Sequence, residues 1–136
     1  MAKAEKNHAI ENAKGWLASI EEMLARAAKA DALNSREAER EAEEARQAIN
    51  ESVLSVQVRS GWYVPGTTGE DRDTPEEYEI LLSTGGPALR IVGRLSQHCE
   101  PESAELQHQD WGTPWTRFPA PEATLLAFAQ CFYFGE

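Results

Sequence analysis

The chain has 136 residues, a length for one ordinary domain or a small domain with an appendage. Its 41% hydrophobic content suffices for a folded core, and its net charge of -10 argues against direct binding of nucleic acid or an anionic membrane surface. That charge favours instead a positively charged partner, including proteins that themselves handle nucleic acid.

From the amino terminus to about Arg59 the chain has no proline, one glycine (Gly15), and many Ala, Glu, Arg and Lys residues, a helix-forming composition. Apolar or small residues recur at Ile10, Ala13, Leu17, Ile20, Leu24 and Ala27, and again at Ala38, Ala42, Ala45, Ile49, Val53 and Val56. Alternation of three and four gives each helix one apolar stripe, the seam of a coiled-coil-like pair. Asn34, three residues before Glu37, suits the cap of a second helix, so two antiparallel helices joined around Ala32 to Ser35 are predicted. The second stripe is mostly alanine and buries little area, so the hairpin needs another surface: the rest of the chain or a second copy. Trp16 and Met23 flank the first stripe and suit that extra contact, as core or as a subunit interface.

From Gly61 onward glycine and proline become frequent and the period changes to two. The stretches "YEILLST", "ALRIVGRL" and "SAELQHQ" read as strands, joined by "TGGP" and "SQHCEPE", and "SVQVRSGWYV" offers another strand leaving the second helix directly. The third strand places Ala104, Leu106 and His108 on one side. "PEATLLAFAQCFYF" opens with Pro121 and Glu122, both suited to a first helical turn, and gives an apolar face of Leu125, Leu126, Ala129, Phe132 and Tyr133. The expected fold is therefore α+β: a helical hairpin (residues 1–60), then an acidic region (61–136) with a three- to four-stranded antiparallel meander and a carboxy-terminal helix on the sheet.

Charge divides along the same boundary. Residues 1–60 carry nine basic and eleven acidic side chains, whereas 61–136 carry four basic and twelve acidic, so the negative field originates in the second region. "GEDRDTPEEYE" concentrates Glu70, Asp71, Asp73, Glu76, Glu77 and Glu79 around one arginine. An EF-hand register from Asp71 puts Glu76 where glycine is needed and Leu82 where the closing glutamate belongs, so no metal is expected there. Two readings stay open: a solvated loop, or carboxylates that meet a basic protein surface. Strand alternation would put Glu77 and Glu79 on one face about 6–7 Å apart, the scale on which phosphates repeat along a nucleic-acid strand. Trp62 and Tyr63 in "GWYVPG", with Trp111, Trp115 and Phe118 in "DWGTPWTRF", are either interface anchors or packing across the meander.

Catalytic and cofactor motifs are absent from the reading. His98 with Cys99, and His108 with Asp110, lack any firm metal-ligand or nucleophile spacing, and no phosphate-loop or dinucleotide fingerprint occurs. Cys99 and Cys131 read as two reduced thiols, Cys131 buried, and no segment has the organisation of a signal peptide or a bilayer span, so a cytoplasmic setting is expected.

Over "GWYVPG", "EEYEILLSTGGPALRIVGRL", "QDWGTPW" and "CFYFGE" the chain resembles a group of small proteins encoded by phages, prophages and plasmids. The likeness covers Gly61 to Glu136. It implies a mobile-element origin, and so the cytoplasm of a bacterial host, where small acidic proteins often inhibit host defence, as anti-restriction and anti-CRISPR proteins do. The function expected is non-enzymatic inhibition of a host protein or ribonucleoprotein complex that processes nucleic acid, such as a CRISPR effector. In it Glu70, Asp71, Asp73, Glu76, Glu77, Glu79, Trp62 and Tyr63 form the partner surface, with no cofactor and with a homodimer as one option. The alternative is a phage structural or adaptor module working through its helical hairpin.

Overall fold

The computed structural model describes residues 8–31, 36–62, 64–66, 75–84, 87–110 and 114–134. Two helices, α1 (His8–Asp31) and α2 (Arg36–Ser52), precede five strands: β1 (Ser55–Ser60), β2 (Pro75–Ser83), β3 (Ala88–Arg94), β4 (Glu105–Gln109) and β5 (Thr116–Phe118). A short helix α3 (Glu122–Ala129) follows. The strands form one antiparallel meander in the order β1-β2-β3-β4-β5. The architecture is the expected α+β, with five strands where three or four were predicted. The extra strand is only three residues long, too short to leave a period-two signature.

The sheet buries one face. Register aligns Val56, Ile80, Ile91, Leu106 and Phe118 into a row crossing all five strands. The three central members, Ile80, Ile91 and Leu106, are fully buried. α1 lies across β3 and β4 on this face and meets α3, while α2 packs on α1. The alanine stripe of α2 behaves as its spacing predicts, since Ala42, Ala45 and Ile49 are buried. Side chains of α1 (Ala13, Ile20), α2 (Ile49), the sheet and α3 (Leu125, Phe128, Ala129) belong to one apolar cluster. The helical hairpin thus gains the second surface that its small seam requires. Asn12 Nδ2 donates to Ser83 Oγ at 2.9 Å, tying the start of α1 to the end of β2.

α3 begins after Pro121, whose carbonyl accepts from the Thr124 and Leu125 amides, and Glu122 sits in the first turn. Sequence periodicity extended this helix through Tyr133, but it ends at Ala129. Cys131 N–H donates to the Phe128 carbonyl and Phe132 N–H to that of Ala129, a tightened final turn that redirects the chain. As a result Phe132 lies edge-on to Phe128 at 5.2 Å, and Phe134 reaches Tyr78 at 4.9 Å. Tyr133 points outward instead of lining the apolar face, and Phe128, absent from the predicted face, is fully buried. The cysteines also depart from expectation: Cys99 is buried, and Cys131 only partly so. Cys99 occupies the left-handed region (φ 60) in the β3–β4 turn, where Ser96 Oγ accepts from the His98 and Glu100 amides.

Candidate functional site

The other face of the sheet carries no helix and is lined by charged and polar side chains. Strand alternation puts Gln57 and Arg59, Glu77 and Glu79, Arg90, Val92 and Arg94, Glu105 and Gln107, and Arg117 on this side. They surround a depression of about 540 Å3 that includes Arg59, Glu79, Arg90, Arg94 and Gln107.

Glu77 and Glu79 share this face, as their spacing predicts. Each carboxylate, however, answers an arginine within the protein. Arg59 Nε donates to Glu77 Oε1 at 2.5 Å, and this hydrogen bond holds the Arg59 guanidinium above its ordinary pKa. Arg94 is the register partner of Glu77 on its other side. Arg90 Nη1 donates to Glu79 Oε2 at 2.7 Å, its Nε donates to Gln107 Oε1 at 2.8 Å, and its guanidinium lies 4.1 Å from the centre of the Trp115 ring. Gln107 Nε2 in turn donates to Glu105 Oε2 at 2.6 Å, and Arg117 stands 3.9 Å from Glu105. Three arginines thus pair with three glutamates on this face, and Arg94 stands beside Glu77 in the ladder, so the face does not present a bare row of carboxylates.

Those cross-strand partners were in the sequence. Arg59 alternates correctly in "VQVRS", and Arg90 and Arg94 in "ALRIVGR", but the pairing requires the register of β1 against β2 and of β2 against β3. Counting charge by segment instead assigned the whole acidic run to one surface. Three of the four basic residues in 61–136 (Arg90, Arg94 and Arg117) line this open face.

Glu76 lies on the opposite side of β2 from Glu77, exposed at the strand start, with its carboxyl packed against Gly61 so closely that any β-carbon there would collide with it. Trp62, next along the chain, is fully exposed, and Val64 is largely so. Glu76 therefore lies beside Gly61, the residue before Trp62 in the chain. Glu70, Asp71, Asp73 and Tyr63, like Trp111 and the interhelical cap Asn34, lie outside the described residues. Of the two readings for Trp115, the structure shows packing across the meander, with its ring stacked on Arg90 of β3 over the open face of the sheet.

His98 is exposed beside Gln97, whereas Cys99 is buried, and His108 meets the Phe118 ring edge-on at 6.3 Å. Among the described residues no three His, Cys, Asp or Glu side chains gather as metal ligands would. Nor is any described helix long and apolar enough to cross a membrane.

No family model matches the chain, and neither a curated protein nor a solved structure matches it.

Proposed function

We propose that this protein is a non-enzymatic binding protein of mobile-element origin. It docks on a basic surface of a host protein or ribonucleoprotein complex that processes nucleic acid, and thereby inhibits it. The observation that carries this reading is a fully exposed Trp62, next in the chain to the Gly61 against which Glu76 packs, in a segment whose sequence continues into Glu70, Asp71 and Asp73. A large flat ring supplies contact area at little entropic cost, and surrounding carboxylates steer a cationic partner. Glu77 and Glu79 contribute less, because their charges are already balanced by Arg59 and Arg90.

The reading is tested by retrieving bound protein from a bacterial lysate with the wild-type chain, with E70Q/D71N/D73N/E76Q, with W62A and with E77Q/E79Q. Loss of a basic partner in the first two variants and its retention in the third is the expected pattern. Retention of the partner by the quadruple variant contradicts it. A second reading, an adaptor working through the helical hairpin, has one observation in its favour, the unfilled side of α1, which leads to a separate proposal.

A further inference from the structure

α1 is amphipathic on more than one side. One side packs on the sheet, α2 and α3. A second, adjacent side carries Gly15, Trp16, Ser19 and Met23 and lines a depression of about 1060 Å3. Trp16 and Met23 pack against the margin of the core yet stay only partly buried. At Gly15 an added β-carbon would meet none of the described residues within 4 Å, so among them the helix carries an open notch between larger side chains.

The order of residues along this side is self-complementary about Ser19. Gly15 lies four residues before Ser19 and Met23 four after; Asn12 lies seven before and Arg26 seven after. Glu11 stands at one end of the depression and Arg26 and Lys29 at the other, with Glu22 lining it between Ser19 and Arg26. When two such helices run antiparallel with Ser19 on the two-fold axis, Met23 of each copy faces the Gly15 notch of the other. Arg26 of each then faces Glu11 and Asn12 of the other, and every contact occurs twice, as an isologous interface demands. Small residues at the crossing allow the axes to approach to about 8 Å, the close end of helix packing. Arg26 has the capacity for this contact: its intramolecular approach to Glu44 is 4.0 Å, the outer limit of an ion pair, and its side chain is half exposed.

We infer that the protein is a two-fold dimer in which the α1 helices of two copies pack antiparallel about Ser19, each Met23 seated in the other's Gly15 notch and each Arg26 paired with the other's Glu11. The opposed charges at the two ends select a second copy of this chain. A uniformly basic or wholly apolar partner would leave one end of the depression mismatched. Trp62 does not line this depression, so the dimer stands or falls independently of the proposed function.

Sedimentation of the full chain tests it. The wild type should sediment with twice the 15.1 kDa mass of one chain. E11K and R26E should each weaken the dimer about tenfold or more, because each places like charges together twice. An equimolar mixture of E11K and R26E should recover the dimer, since the new ammonium of one chain then meets the new carboxylate of the other. G15L fills the notch and should be monomeric while melting at or above the wild-type temperature, because leucine is the better helix former. A wild type that stays monomeric at its highest soluble concentration, a G15L chain that still dimerises, or a charge-swapped mixture that stays monomeric overturns the proposal.

Discussion

Tyr78 and Gly93 are opposite one another in the β2–β3 ladder, and each fits only because of the other. The Tyr78 ring crosses the space a side chain at 93 would fill and donates its hydroxyl to the Ser103 carbonyl at 2.6 Å. A β-carbon at 93 would collide with that carbonyl and with the ring, both held by backbone or by packing against Phe134. Gly93→Ala should therefore cost about 1–3 kcal/mol, the usual range for overpacking, read as a lowered urea midpoint. Gly61 makes a useful contrast, because the group in its way is the flexible, exposed end of Glu76. Burial pushes the Tyr78 hydroxyl pKa above its ordinary 10, and Glu122 adds to the shift. The folded state binds this proton more tightly than the unfolded chain does. The stabilisation is accordingly complete below pH 10, where the unfolded tyrosine ionises, and is lost as pH rises toward the folded value. Tyr78→Phe should flatten this alkaline loss and cost about 1 kcal/mol at neutral pH for the missing hydrogen bond. An alkaline stability profile identical in both proteins would contradict the assignment. None of this was legible beforehand. Tyr78 and Gly93 each stood within a stretch that read simply as a strand, "YEILLST" and "ALRIVGRL", because their relation exists only once register pairs them.

At the scale of elements, the sequence was most readable where one period ran long. The two helices were announced by their stripes, and β2, β3 and β4 by alternation between turn residues. It was least readable where tertiary packing overrides local pattern. β5 is a short strand held by its pairing with β4, and the end of α3 is set by Phe132 and Phe134 turning inward rather than by any helix-stopping residue. The open face of the sheet shows the same division: which side Glu77 and Glu79 occupy was readable, but what they touch was not. There Arg90 is the hub, joining Glu79 on β2, Gln107 on β4 and the Trp115 ring before β5. Its flat fork is what allows one side chain to serve all three, and an ammonium group has no equivalent geometry. Arg90→Ala should lower stability by about 1–3 kcal/mol, and Arg90→Lys should recover only part of that. Each should also alter the fluorescence of Trp115, which loses its cationic neighbour. Full recovery by lysine would show that charge alone, not the fork, organises this face.

At the scale of the molecule, the helical hairpin and the acidic region were read as two stretches with different grammar, and the core runs through both. Ile20 on α1 and Ile49 on α2 are fully buried in the same cluster as Ile80, Ile91, Leu106 and Phe128. Helical circular dichroism and tryptophan fluorescence should therefore report one coincident unfolding transition. Ile20→Ala should lower both midpoints together, by about 2–5 kcal/mol. Two separated transitions, with only the helical one displaced, would mean that the hairpin folds apart from the sheet. The electrostatic organisation spans the molecule as well. By sequence, residues 1–60 are close to balanced and the excess negative charge lies in 61–136, where Glu77 and Glu79 are answered by Arg59 and Arg90. The binding reading rests on that distribution.

Its most direct test is the salt dependence of affinity for the retrieved partner, measured for the wild type and for E70Q/D71N/D73N/E76Q. Exposed charges are screened within about 8 Å at physiological ionic strength. Wild-type affinity should thus fall steeply as salt rises, and the neutralised chain should bind more weakly with a shallower slope. Equal slopes for the two proteins, or a wild-type affinity indifferent to salt, would contradict the account.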